Sequence, residues 1–81
     1  MINVDYAETI DRWSTKDAVM VLNGEHTRGR QAEIRLKMIK TNSRISKAEQ
    51  RELYTAYCNQ LIKKIAAVDG GNSYGTMPTF E

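Results

Sequence analysis

Cysteine and histidine each occur once in this 81-residue chain, as Cys58 and His26, and that scarcity removes two kinds of site. One thiol cannot build a disulfide framework. A nitrogen-and-sulfur metal centre needs three or four ligands, which these two residues do not supply, so neither a metal nor any other cofactor is expected. Long apolar runs are also missing: the longest, residues 18–22, has five members, against roughly 20 for a membrane-spanning helix. The glycines at 24, 29, 70, 71 and 75 match neither GxxxxGK[ST] nor GxGxxG, so no phosphate-cradling loop is present. The N-terminus lacks the succession of basic, apolar and small residues that marks a secretory leader. The expectation is a soluble, cytoplasmic protein without a membrane partner. A chain of this length has material for one core and a stability on the order of 4 to 12 kcal/mol, so association with a partner or with itself is expected to matter.

Catalytic groupings are equally sparse. A Cys58 and His26 pair would put the nucleophile in mid-helix among Tyr54, Leu61 and Ile62, where a thiol behaves as a small buried hydrophobe. Asp5, Glu8 and Asp11 would follow one another along a helix, but nothing apolar lies beside them to raise a pKa. They read as an exposed acidic face, and the chain is expected not to be an enzyme.

What is present is helical pattern. Ser46-Lys47-Ala48-Glu49 is a capping box, in which serine and glutamate each satisfy the other's backbone N–H. Behind it Leu53, Tyr57, Leu61 and Ile65 recur every fourth residue, with Tyr54, Cys58 and Ile62 as a parallel row, and Asp69-Gly70-Gly71 supplies a stop. The spacing predicts a helix over 47–68. Upstream, residues 31–40 place Ala32, Leu36 and Ile39 on one side, widened by Ile34 and Met38. Glu33 and Lys37 stand in the favourable i, i+4 order. Residues 41–43 then break the pattern, giving a helical hairpin with a connection of roughly 5 residues.

In the N-terminal third, Tyr6, Ile10 and Trp13 suggest a short helix capped by Asn3 or Asp5, and Ser14 or Thr15 can cap a second over 16–22 that ends at Asn23-Gly24. Val19 to Leu22 before Asn-Gly is also a hairpin signal, but the polar, glycine-interrupted residues beyond Gly24 make a poor partner strand. The fold expected is all-α: a small bundle of three to four helices within a single domain, residues 1–69. An extended tail, 70–81, is expected to be flexible or to dock on a partner.

The formal charge of +2 hides an uneven distribution. Residues 1–25 carry −3, residues 26–51 carry +6 and the remainder −1. Clustered Arg and Lys are the footprint of a nucleic-acid binder, which makes Arg28, Arg30, Lys37, Lys40 and Arg44 candidate partner-binding residues. Three observations weigh against nucleic acid as the main partner. Glu33 partly offsets Arg30 and Lys37; the pI of 8.8 is only moderately basic; and a helix-turn-helix threaded over 15–40 puts Arg30 where an apolar residue belongs. Arg35 lies on the apolar side between Met38 and Ile39, so it must reach the edge or meet a carboxylate, for which the acidic N-terminal helix is the natural source. In the tail, Tyr74, Met77 and Phe80 recur at every third residue, and Pro78 stiffens the stretch between Met77 and Phe80, so these residues are candidate anchors for a partner or a second copy.

The reading that follows is a non-enzymatic interaction or regulatory protein that occupies a surface on a larger macromolecule. Short chains of this kind are common among regulators and inhibitors encoded by phages and mobile elements, an association and not a reading of residues. A DNA- or RNA-binding regulator using 28–51 and a structural subunit of a larger assembly are the alternatives.

Overall fold

The computed structural model of the protein describes residues 4–69 and 77–80. Three helices make up its regular structure: α1 (Val4–Leu22), α2 (Arg28–Lys40) and α3 (Lys47–Asp69). All described regular structure is helical, as expected for a small bundle.

The N-terminal third differs from expectation in forming one helix instead of two. Ser14 caps nothing: it is fully buried and its hydroxyl donates to the Asp11 carbonyl at 3.1 Å. The buried stripe runs through Ile10, Ser14, Asp17, Ala18 and Val21 without a break in helical period, so tertiary burial carries the helix past the serine's capping preference. Asp5 falls within α1 instead of capping it, and Asn3 lies outside the described residues. Val19 to Leu22 is helix, and its end is built by glycine. Glu25 N–H donates to the Met20 carbonyl at 3.0 Å and Gly24 N–H to the Val21 carbonyl at 3.0 Å, the paired bonds of a Schellman motif. Gly24 has φ 79°, in the left-handed region that side chains disfavour.

Helix α2 begins three residues earlier than the periodicity suggests, because the Thr27 hydroxyl accepts the Arg30 N–H at 3.1 Å and so caps it. Ala32, Leu36 and Ile39 are buried as expected. Met38 does not widen the apolar face, being 45% exposed, whereas Gln31 is buried. In the connection to α3, the Gln50 side chain donates to the Asn42 carbonyl at 3.0 Å, tying the turn to the helix that follows.

The Ser46 box forms as expected: Glu49 N–H donates to the Ser46 Oγ at 3.2 Å and Ser46 N–H to the Glu49 carboxylate at 3.3 Å. Helix α3 reaches Asp69, and Gly70 and Gly71 fall outside the described residues. Its first row, Leu53, Tyr57, Leu61 and Ile65, is buried throughout; of the second, Tyr54 is buried, Cys58 half-buried and Ile62 exposed.

The largest correction concerns the tail. Met77 to Phe80 lies back against the helices, where Phe80 is buried and its ring stands 6.5 Å from that of Tyr54. The Tyr54 hydroxyl donates to the Pro78 carbonyl. Met77 and Phe80 therefore pack against the chain's own core. A buried phenol needs an acceptor and an aromatic ring needs an apolar shelf, and this strap and α3 supply both to each other.

Three stability outcomes follow. Gly24→Ala should cost about 1 kcal/mol from backbone strain alone, since an added Cβ would meet nothing within 4 Å. Phe80→Ala should cost about 1.5 to 3 kcal/mol, and Leu61→Ala about 2 to 5 kcal/mol. Urea titration followed by circular dichroism measures all three, and a Phe80→Ala midpoint equal to wild type would show that the strap does not contribute to folding.

Candidate interaction surface

Among the described residues, Asp17 is the one charged side chain that is fully buried. The Asp17 side chain is 0% exposed and receives Arg35 as a fork, Nε to Oδ2 at 2.8 Å and Nη2 to Oδ1 at 2.9 Å. The Tyr57 hydroxyl donates to the same Oδ2 at 2.6 Å. One residue from each helix thus meets at one carboxylate. The Arg35 guanidinium lies 4.9 Å from the centre of the Trp13 ring, which itself meets Tyr57 edge-on at 6.3 Å. Arg35 therefore finds its carboxylate on the acidic helix, as its position among apolar neighbours requires.

The surroundings shift each partner in a consistent direction. The hydrogen bonds to Asp17 raise the Arg35 pKa, against an opposing effect of burial. Burial raises Tyr57 furthest, the bond to Asp17 and its charge add to this, and Arg35 opposes it. With its acceptors matched by donors and its charge neutralised, the cluster is a closed structural network.

The thiol is no better placed for chemistry. Burial pushes the Cys58 pKa up, the neighbouring Tyr54 and the Arg28 charge pulling against it, so the less nucleophilic thiol form is favoured. His26 is engaged with the Gln31 side chain. Among the described residues, no three His, Cys, Asp or Glu side chains are grouped as a metal ion needs.

Ion pairing sorts the basic block into two sets. Arg35 is withdrawn to the interior, and Arg30 pairs with Glu33 at 2.7 Å on the surface, so Glu33 serves Arg30 instead of Lys37. Arg28 is half-buried and close enough for its charge to act on Cys58. Lys64 pairs with Asp11 at 2.7 Å and donates to the Thr15 hydroxyl at 2.6 Å, linking α3 to α1. The second set comprises Lys37, Lys40, Arg44, Lys47 and Arg51, all exposed and none in an ion pair among the described residues.

Two of these cations, Lys40 and Arg51, are brought together across α2 and α3, and the others adjoin them along the chain. Lys37 and Lys40 are neighbours on the outer side of α2, Arg44 is in the connection, and Lys47 and Arg51 are one turn apart on α3. Lys40 and Arg51 converge on the Phe80 ring from opposite helices, at 5.4 and 5.5 Å from its centre. The sequence shows Lys47 and Arg51 only as members of a charged block; the i, i+4 spacing behind the Ser46 cap was the available signal. Of the other candidates, Arg28 and Arg30 lie at the start of α2, while Tyr74 lies outside the described residues.

The strap is flanked by open clefts. One of about 470 Å³ lies between it and α3, and another of about 420 Å³ lies beside the first turn of α2, where Arg30 and Glu33 face Met77 and Pro78. A smaller depression of about 220 Å³ separates α1 from α3 near Ile10 and Gln60.

The buried phenols give the site a pH signature. Burial, reinforced by the adjacent Cys58, also raises Tyr54 above the ordinary range. A phenol with a raised folded pKa contributes stability that is fully present below its unfolded value of about 10 and is lost as pH climbs above it. Absorbance at 295 nm should therefore show Tyr54 and Tyr57 silent where exposed tyrosines ionise, then titrating together with loss of helix. Smooth ionisation of all four tyrosines near pH 10 with helix intact would contradict the arrangement. Asp17→Ala, which leaves Arg35 charged and unpaired, should cost about 3 to 5 kcal/mol.

Compared with protein-family models, with curated proteins and with solved structures, the chain matches none.

Proposed function

We propose that this is a non-enzymatic interaction protein that binds and modulates a larger macromolecule by laying its basic α2–α3 surface on an anionic patch, with another protein as the partner. The observation that carries this reading is the set of five exposed cations, Lys37, Lys40, Arg44, Lys47 and Arg51, without an ion-pair partner among the described residues. Like charges held on one face raise the local potential and attract an oppositely charged surface. Within the same reading it acts in the cytoplasm as a regulator or inhibitor.

The same cations support nucleic acid as a second reading. Three features favour protein. The carboxylate of Glu33 stands in the outer row of α2 with Arg30, Lys37 and Lys40. The Phe80 ring is covered and offers no platform for a base. Clefts with apolar walls adjoin the cations, and such clefts suit side chains better than phosphates.

A salt titration separates the two. Five phosphate contacts would give a slope near −4.5 in log K against log salt, a loss of roughly 500-fold between 50 and 200 mM. The expected result is duplex binding weaker than about 1 μM at physiological salt and without sequence preference. Capture from the source cell should retain a protein that the double variant Lys37→Glu, Arg44→Glu releases. Tight, sequence-selective duplex binding abolished by that variant would move the assignment to nucleic acid.

A further inference from the structure

The reading above leaves open what the partner must present, and the cleft between strap and α3 narrows it. Its walls are Tyr54, Thr55 and Cys58 on one side and Met77 and Phe80 on the other, with Arg51 at its edge. At about 470 Å³ it falls within the range of pockets that enclose small organic groups. Among the described residues no carboxylate lines it. Its apolar wall ends at the Phe80 ring, which Lys40 and Arg51 flank at 5.4 and 5.5 Å. An apolar recess bordered by positive charge matches a bulky apolar group with carboxylates beside it.

We propose that this cleft receives an acidic segment of a partner protein that carries one large apolar side chain, the side chain entering between Met77 and Cys58 while neighbouring carboxylates meet Arg51 and Lys40. The proposal rests on the basic-surface reading and adds to it a pocket and a partner chemistry. Charge alone gives contact with any acidic surface; the recess selects segments that also have an anchor. A duplex keeps its bases stacked and presents a backbone with no group of that kind, so the cleft favours protein over duplex nucleic acid independently of the charge count. Met77 forms a wall for a reason of its own: an unbranched thioether adapts to the shape of its guest.

The test uses the intact chain and two short synthetic acidic peptides of equal charge, one with a central phenylalanine and one with serine in its place. The phenylalanine peptide should bind roughly tenfold tighter or more, the effect of burying one large apolar side chain. It should shift the Met77 methyl resonance, while that of Met20, which contacts Gln31 on the far side of α2's first turns, stays in place. Thr55→Trp fills the cleft from an exposed position and should lower the phenylalanine peptide to the affinity of the serine peptide, leaving the latter within twofold. Asn59→Trp, also exposed on that wall, serves if Thr55→Trp does not fold. Equal binding of the two peptides, or an unmoved Met77 signal, overturns the cleft proposal and leaves the basic surface standing. Binding of neither at low salt overturns both. A duplex DNA that shifts Met77 as strongly as the phenylalanine peptide overturns the choice of partner.

Discussion

A carboxylate without water sets the terms for the rest of this molecule. Asp17 is fully buried, and moving such a charge out of solvent costs several kcal/mol unless donors replace the water. Those donors come from two other helices, Arg35 on α2 and Tyr57 on α3. A buried ion pair is not necessarily more stabilising than a hydrophobic substitute. Its effect here is to penalise any rotation or sliding of one helix that would leave the carboxylate dry and unmatched. The aliphatic core around it, Val21, Ile39, Leu61 and Ile65, is non-directional and could not by itself fix that geometry.

The same constraint determines what the surface can do. Taking Arg35 inward removes a cation of α2 that points away from the outer row, and pairing Arg30 with Glu33 quietens the start of that row. Positive charge is thereby concentrated toward the α2–α3 connection and the first turns of α3. The strap adds a second consequence there: its phenyl ring shields the apolar edge of Tyr54 and gives Lys40 and Arg51 a common neighbour. Part of each cation's attraction is met by a ring face, which leaves its charge intact for an anion.

How much of this was legible in the sequence depended on how local the cause was. The Ser46 box, the row from Leu53 to Ile65 and the Ala32, Leu36 and Ile39 side of α2 follow from spacing of three or four residues, and these formed as read. Helix α1 was misdivided because Ser14 and Asp17 occupy core positions where the pattern expects apolar residues. A polar residue at a buried position looks like a boundary until its partner is known, and the partner of Asp17 is 18 residues away on one helix and 40 on another. That Arg35 needed a carboxylate was readable from its apolar neighbours; which carboxylate was not. The strap failed for the same reason, since Tyr54 and Pro78 are 24 residues apart and no periodicity links them. For the candidate surface, the excess of basic residues was plain from composition, but the division into engaged and available cations needed three dimensions.

Trp13 is the chain's only tryptophan, and its neighbours make it an internal gauge. Its indole is touched by the Arg35 guanidinium and the edge of Tyr57, whereas the strap rests on Tyr54, Lys40 and Arg51. A nearby cation and a half-buried setting control the emission of an indole, so its fluorescence reports on the meeting point of the three helices and hardly at all on the strap. Any event that lifts the strap alone would be dark to this fluorophore, and any event that parts the helices would be bright. The protein thus carries a label that distinguishes rearrangement at its surface from loosening of its interior.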